Sequence, residues 1–223
     1  MRGFDIKQIR MRSFRISGLT AKWGIGDNRV PSIWDNNLIG RWDTRTFPDG
    51  ALATIRNTAT MADKAPDLRV KGAKMEKGTL QFDGVDNLAE TTAFAFPDRF
   101  TIFWDVDWLG SENKLAGIFH LLDLYLYNYA EKGRLLCYIN DTSGGSYIPN
   151  TDVGISTNGN VYAPDGSVTP FGGTVGTKTS NAALYIARQG EVFTQMGFRQ
   201  LLIFNKELSQ AEVNDVLRVM FPA

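Results

Sequence analysis

The chain has 223 residues, 43% of them hydrophobic, and its 24 Lys and Arg side chains are balanced by 24 Asp and Glu. A chain of this length buries roughly 70% of the surface that its unfolded form exposes, so its core needs no metal ion or disulfide. The formal net charge of zero leaves no overall field to attract nucleic acid or an anionic membrane. Cys137 is the one cysteine and cannot form an intrachain disulfide. We therefore expect one domain with no nucleic-acid or membrane partner.

Residues 1–37 carry a local excess of basic charge. Within the first fifteen residues Asp5 is the only acid, and it stands against the bases Arg2, Lys7, Arg10, Arg12 and Arg15. Such an excess predicts an arm that docks on an acidic partner or joins copies of the chain. An exposed edge strand, whose charges discourage aggregation, is the alternative. The segment has no apolar stretch of signal-peptide type, so we expect synthesis in the cytoplasm without a signal peptide.

Short runs of aliphatic and aromatic residues, separated by turn-forming residues that include many of the 22 glycines, follow this arm. Runs of this kind predict antiparallel strands joined by turns. The clearest are 38–43, 79–84, 99–108, 115–130, 134–140, 182–189 and 198–205. Residues 140–181 are rich in Gly, Ser, Thr and Asn, which predicts surface loops and short hairpins with little core of their own. The number of strands indicates a β-sandwich.

The strand "FTIFWDVDW" divides its side chains between two faces by alternation. One face carries Phe100, Ile102, Trp104, Val106 and Trp108, which predicts core. The other face carries Thr101, Phe103, Asp105 and Asp107. We expect this second face to present a groove.

A single amphipathic helix is predicted at the C-terminus. Ser209 and Glu212 have the S-x-x-E spacing of a capping box, in which each side chain bonds the other residue's backbone amide. The apolar residues that follow at helical spacing are Val213, Val216, Leu217 and Met220. One apolar stripe suits a helix that closes a sandwich.

The string "FRQLLIFNKELSQAEVNDVLRVMF" resembles the closing strand and helix of concanavalin A-like, laminin G-like jelly rolls. The segments "NLIGRWD", "GTLQFDGVDNLAE", "RFTIFWDVDW" and "ALYIARQG" also resemble that family, with Ala187 where glycine is usual. The resemblance covers about residues 38–223. It implies an all-β fold, an antiparallel concanavalin A-like sandwich with a short C-terminal helix, preceded by the arm of residues 1–37.

Lectins, glycosidases, adhesion modules and viral appendages share this fold. A basic arm before a lectin-like sandwich resembles uncharacterised proteins of bacteriophages and of gut bacteria. The resemblance implies a non-enzymatic structural or attachment component of a phage virion: a head fibre, decoration protein or tail appendage. Its partners would be other virion proteins and further copies in a homo-oligomer, and its location the virion. The alternatives are a carbohydrate-binding lectin module that recognises a cell-surface glycan, and a glycoside hydrolase.

The sequence offers little for catalysis. Asp105 and Asp107 have same-face spacing, but glycosidases of this fold use closely spaced carboxylates that include Glu, and no Glu completes the pattern here. His120 is the only histidine and lies in an apolar run, which favours a packed side chain over a catalytic base. We assign no catalytic residue, metal or cofactor. The turn "FDGVDN", with Asp83, suggests turn chemistry first and a calcium ligand second.

Carbohydrate binding needs aromatic rings beside amides and carboxylates. The predicted ligand-binding residues are Phe103, Asp105, Asp107, Tyr147 and Tyr162.

Overall fold

The computed structural model describes residues 34–108, 116–121, 124–129, 134–139, 146–149, 152–170 and 180–222. Two helices are described, α1 (Trp34–Asn37) and α2 (Gln210–Met220). The first strands are β1 (Leu38–Asp43), β2 (Gly50–Ala51), β3 (Thr54–Ile55), β4 (Leu68–Lys71), β5 (Lys74–Glu76), β6 (Thr79–Asp83), β7 (Leu88–Glu90), β8 (Phe94–Phe96) and β9 (Thr101–Trp108). Next come β10 (Ala116–Leu121), β11 (Leu124–Tyr129), β12 (Arg134–Ile139), β13 (Ser146–Pro149), β14 (Gly154–Ser156), β15 (Asn160–Tyr162) and β16 (Val168–Pro170). The last are β17 (Ser180–Ala182), β18 (Leu184–Ile186), β19 (Arg188–Gln189), β20 (Val192–Phe193) and β21 (Gln195–Phe204).

The described strands form two large antiparallel sheets. The nine-stranded sheet has the order β16-β15-β14-β9-β21-β6-β5-β2, and β1 also pairs with β21. The eight-stranded sheet has the order β13-β12-β11-β10-β18-β7-β4-β3. The pairs β17-β8 and β19-β20 form two small sheets. The predicted all-β sandwich with one C-terminal helix is confirmed.

The first core lies between the two large sheets. Ile102 and Trp104 of β9 meet Leu184 and Ile186 of β18 in one cluster of buried residues. This is the face of β9 that the alternation predicted as core, and Phe100 belongs to the same cluster. Burial of apolar area on this scale is the main force that holds such a sandwich together.

A second core lies on the opposite face of the nine-stranded sheet, which we call the outer face. Strand side chains on this face pack under α2, and Trp34 of α1 joins them: the buried set is Trp34, Leu38, Phe103, Tyr162, Leu202, Phe204, Val213, Val216, Leu217 and Met220, with Ala59, Val153 and Leu208. The predicted capping box is confirmed, because the Ser209 side chain accepts from the Glu212 amide and Glu212 accepts from the Ser209 amide at 2.7 Å. The helix therefore closes the outer face of the sheet.

A β-bulge in β21 decides which side chains reach each core. The pairing of β21 with β9 shifts between Phe198 and Gln200, so one extra residue, Arg199, is inserted there. Phe198 faces the first core, and after the bulge Leu201 faces it again while Leu202 faces the second core. The bulge carbonyls accept from the buried Thr44, whose hydroxyl lies 3.0 Å from Phe198 O. Bulges bend a strand and re-aim side chains in this way.

Several predicted runs differ from the structure in detail. The run predicted at 115–130 contains two strands, β10 and β11, which pair antiparallel. The run 182–189 is split at the buried Ala187, whose φ of 61° is left-handed, a conformation that explains why glycine is usual there. Trp34, assigned to the arm from sequence, is fully buried in the second core. Residues 1–33 lie outside the described residues.

Residues 140–181 contribute more to the cores than the composition predicted. Ile155 and Val161 are buried in the first core, and Val153 and Tyr162 are buried in the second. The prediction of little core there was wrong for the β14–β15 hairpin, because that hairpin pairs directly with β9.

Candidate functional site

The two carboxylates predicted to line a groove lie on the outer face, but one cation binds them both. Arg199 donates from Nε and Nη2 to Asp105 Oδ1 at 2.9 and 2.6 Å, and from Nη1 to Asp107 Oδ2. These hydrogen bonds, first of all those to Asp105, raise the pKa of the Arg199 guanidinium. Asp105 is only 7% exposed, so its charge is balanced within the protein.

Two of the predicted ligand-binding rings are buried. Phe103 is 0% exposed and Tyr162 is 1% exposed, with ring centroids 5.7 Å apart under α2. Neither ring offers a face to a ligand, and the prediction is corrected for both, because the helix covers the face that alternation alone left open. The side chains of Tyr147, His120 and Cys137 lie outside the described part of the structure, as do the arm residues Arg2, Lys7, Arg10, Arg12 and Arg15.

Asp43 at the end of β1 is the centre of a second ionic group on the same face. Arg45 donates to its two carboxylate oxygens at 3.0 and 2.7 Å, and Gln200 Nε2 donates to Oδ2 at 3.0 Å. Burial raises the pKa of the Asp43 carboxyl, but the bonds and charge of Arg45 outweigh it and the net pKa is lowered. Arg45 also donates to Met220 O at 3.1 Å, which satisfies a carbonyl at the end of α2.

An open pocket borders this ionic group, and we call it the edge pocket. Its volume is about 500 Å³, and it is lined by Arg41, Asp43, Thr46, Phe47, Thr54, Arg56 and Thr58. Strand β1 supplies Arg41 and Asp43, while β3 and the residues after it supply Thr54, Arg56 and Thr58. The two segments are held side by side because the buried Asn57 accepts from the Arg41 amide at 2.9 Å and donates to Ile39 O at 2.8 Å.

The edge pocket combines the groups that bind polar organic ligands. Thr46, Thr54 and Thr58 are exposed and bring hydroxyls, and the half-buried Phe47 brings an apolar surface. Arg56 is exposed and brings a cation. A cavity of this size with an apolar patch and a few polar groups is typical of small-molecule sites.

Two further pockets fit such a ligand less well. One, of about 400 Å³, is lined by Gly72, Lys74, Glu76, Gln81, Phe82, Asp83, Asn87 and Gln195. Its aromatic residue, Phe82, is 1% exposed and belongs to the first core, so no ring is free to stack on a ligand. The other, beside α2, is only about 190 Å³.

The calcium alternative for the turn "FDGVDN" gains no support. Asp83 Oδ1 accepts from the amides of Val85 at 2.8 Å and Asp86 at 3.4 Å, which is turn chemistry. Among the residues that the structure describes, no group of three or more His, Cys, Asp or Glu side chains is placed to hold a metal ion. Neither described helix has the length and apolar character needed to cross a membrane.

Sequence reasoning missed the edge pocket entirely. Its residues come from β1, from the connection that follows it and from residues 54–58. Arg41 and Asp43 lie in the segment "NLIGRWD", but the resemblance gave that segment no binding role. The signal that was available is the string "TIRNT" at 54–58, where polar residues alternate with the buried Ile55 and Asn57 and so share one exposed face.

No protein-family model and no curated protein matches the chain. Solved structures do match it. The Trypanosoma rangeli sialidase in complex with sialic acid is 14% identical with a TM-score of 0.55, over 81% of this chain and 32% of that chain. The binding domain of botulinum neurotoxin DC in complex with SialylT is 14% identical with a TM-score of 0.59, over 84% of this chain and 52% of that chain.

A mutant of HCR/D is also 14% identical with a TM-score of 0.60, over 85% of this chain and 53% of that chain. The chain thus spans about a third to a half of the proteins that it matches. At these identities the likeness shows the all-β fold that the chain shares with parts of them.

Proposed function

We propose that this protein is a non-enzymatic carbohydrate-binding module, with a lectin-like sandwich of the concanavalin A-like kind, and that the edge pocket is its binding site. The observation that carries the proposal is the set of side chains around that pocket. Three threonine hydroxyls, the guanidinium of Arg56 and the half-buried ring of Phe47 line it together. Sugars present hydroxyls on their edges and C–H groups on their faces, so hydroxyl and guanidinium groups beside an aromatic ring match them.

The comparisons support the same class. One similar structure is a complex with sialic acid and another is a complex with SialylT. These complexes support a carbohydrate as the kind of ligand. Because the identities are only 14%, no binding residue of those proteins is assigned to this chain.

The ionic contacts on β9 support a role without catalysis. A glycosidase needs one carboxyl that stays protonated and one that is free to attack or to activate water. Here Asp105 and Asp107 share Arg199 as a partner, so both carboxylates already have a hydrogen-bonding partner within the protein. These two residues therefore suit a structural ion pair better than an acid and nucleophile pair.

The virion role and the oligomer predicted from sequence remain predictions. They rest on the resemblance of a basic arm before a lectin-like sandwich to proteins of bacteriophages and gut bacteria, and no described contact bears on them. Residues 1–33 of that arm lie outside the described residues. A carbohydrate-binding module is compatible with such a role, since a glycan of the cell surface can serve as an attachment point.

A blocking substitution tests the proposed site. Thr54→Trp would place an indole in the edge pocket, and Thr169→Trp is a matched control because Thr169 is an exposed strand threonine in β16, away from the pocket. We expect the full chain to bind members of a panel of neutral and acidic oligosaccharides saturably in calorimetry. Thr54→Trp should weaken that binding at least about tenfold, as expected when a ligand loses its buried contacts.

The control variant should bind like the unmodified chain, and thermal unfolding should show that both variants are folded. Undiminished binding by a folded Thr54→Trp variant would move the site elsewhere. Absence of binding to the whole panel at millimolar concentrations would overturn the carbohydrate proposal.

A further inference from the structure

The charges around the edge pocket do not cancel. Three charged side chains line it, Arg41, Asp43 and Arg56. The carboxylate of Asp43 already has Arg45 on both oxygens and Gln200 on Oδ2. Because Arg45 neutralises Asp43 from outside the pocket, the two arginines that line the pocket remain as surplus positive charge.

Arg56 is the more available of the two cations. It is exposed, and within the described part of the chain it forms no ion pair. An exposed guanidinium at a pocket wall can point its N–H donors at a ligand. Two parallel N–H groups match the two oxygens of a carboxylate.

The guanidinium of Arg41 already has contacts within the protein. It lies over the Trp34 ring at 5.4 Å, and Nη2 is 3.6 Å from Asp43 Oδ2, which is beyond good hydrogen-bond distance. Its Nε is buried and has no hydrogen-bond partner among the residues that the structure describes. Stacking on Trp34 holds the side chain in place and leaves its charge to act on the pocket.

The other residues that line the pocket indicate what kind of molecule carries the anionic group. Thr46, Thr54 and Thr58 and the ring of Phe47 occupy the rest of the wall. A small free anion would use the arginines alone and leave the hydroxyls and the ring without contact. A sugar that bears a carboxylate would use all three kinds of group.

We propose that the edge pocket binds an acidic saccharide, with the carboxylate of the sugar on Arg56, supported by the charge of Arg41, and its hydroxyls toward the threonines. The inference rests on the proposed carbohydrate-binding function and deepens it by naming the ligand class. It assigns Arg56 as the residue that determines the preference for acidic over neutral sugars.

Matched ligands and matched variants test this assignment. Calorimetry with the full chain would compare lactose, sialyllactose, a disaccharide containing glucuronic acid, and sulfated lactose. We expect at least one of the two carboxylated sugars to bind about tenfold more tightly than lactose, the usual worth of a hydrogen bond to a charged group. That preference should shrink as salt is raised, because the contact is at the surface.

Arg56→Gln should remove the preference for the carboxylated sugar and leave weak binding of the neutral one, while Arg56→Lys should keep part of the preference. Arg99→Gln is the control, since Arg99 is exposed and does not line the pocket. It should behave like the unmodified chain.

Each other outcome overturns the inference in a distinct way. Equal binding of lactose and the carboxylated sugars, or an Arg56→Gln variant with an unchanged preference, would overturn it and leave the carbohydrate proposal standing. Preference for sulfated lactose alone would do the same. Failure of all four sugars, together with the rest of the panel, would overturn both.

Discussion

The outer face of the nine-stranded sheet has two halves of opposite character. Under α2 it is apolar, and Phe103, Leu202 and Phe204 are each 0% exposed. Farther along the same strands it is ionic: two residues beyond Phe103 the strand carries Asp105, which Arg199 binds. The first half is covered by a helix. In the second half the charged side chains pair with one another, and the edge pocket lies next to them.

The difference shows that one half of a sheet face can be closed by apolar packing and the other half by ion pairs. A helix closes the half where most outward side chains are apolar, and it ends where the charges begin, with Met220 O bonded to Arg45. Apolar packing stabilises without direction, while ion pairs fix specific geometry at little net gain in free energy. The ionic half is therefore suited to fix the side chains of the proposed site in the edge pocket.

Phe103→Ala tests the apolar half and should have the largest effect. Removing a fully buried ring leaves a cavity, and we expect the free energy of unfolding to fall by about 3–5 kcal/mol. Urea denaturation would measure this. Phe103→Leu is the control and should cost less than about 1.5 kcal/mol, because it keeps most of the volume. A loss below about 1 kcal/mol for Phe103→Ala would contradict burial of the ring under α2.

Arg199→Ala tests the ionic half. It leaves the buried carboxylate of Asp105 without its cation, and we expect a loss of about 2–3 kcal/mol in the free energy of unfolding. Adding Asp105→Asn should recover most of that loss, since the group left behind is then neutral. The control is Arg218→Ala, which breaks an exposed pair with Asp215 at 3.1 Å and should cost under about 0.5 kcal/mol. Simple additivity of the two changes at Asp105 and Arg199 would argue against their pairing.

Asp152→Asn tests an acid that has no cation partner among the described residues. Asp152 is 5% exposed, its Oδ2 has no hydrogen-bond partner in the described part of the chain, and it precedes Val153 of the second core. Burial, and then repulsion from Asp165, raise the pKa of Asp152 to about 6 from 3.8. Because the folded chain binds the proton more tightly, the contribution of Asp152 to stability rises as pH falls from about 7 through about 6, and levels off below about 3.8.

The neutral amide should therefore raise the free energy of unfolding at pH 7 by about 1–2 kcal/mol. Melting curves from pH 4 to 7 would show a gain of a few degrees at pH 7 that disappears near pH 4. Asp63→Asn, at an exposed acid, is the control and should change neither. A variant that is less stable than the unmodified chain at pH 7 would mean that Asp152 has an ionic partner.

Local patterns predicted much of the fold. Alternation in β9 identified the core face that carries Ile102 and Trp104, and the S-x-x-E spacing identified the start of α2 at Ser209. Both signals are local, since strand pleat and helix capping depend on residues a few positions apart. Bounds agreed closely as well: the run predicted at 38–43 is β1, and the run at 198–205 corresponds to the greater part of β21.

The site was not predicted, because its contacts join distant parts of the chain. Asp105 was expected to face a ligand, but Arg199 lies 94 positions away and no local pattern pairs the two. Phe103 was expected in a groove for a related reason: alternation says which face a side chain takes and does not say which element covers that face. The edge pocket likewise depends on how Asn57 joins β1 to residues 54–58.

The bulge at Arg199 resets the alternation of the last strand. Phe198 and Leu201 face the same core although they are three positions apart, because the bulge holds one extra residue. Deleting Arg199 would therefore leave Leu201 to Phe204 on their present faces and would remove the cation that binds Asp105. Deleting Leu202 would instead turn Ile203 toward the helix and Phe204 into the first core, since each residue after the deletion moves by one position. Length changes should therefore be accepted in the surface loops and rejected between Leu201 and Phe204, so that natural variants of the domain would differ in loop length while this spacing stays fixed.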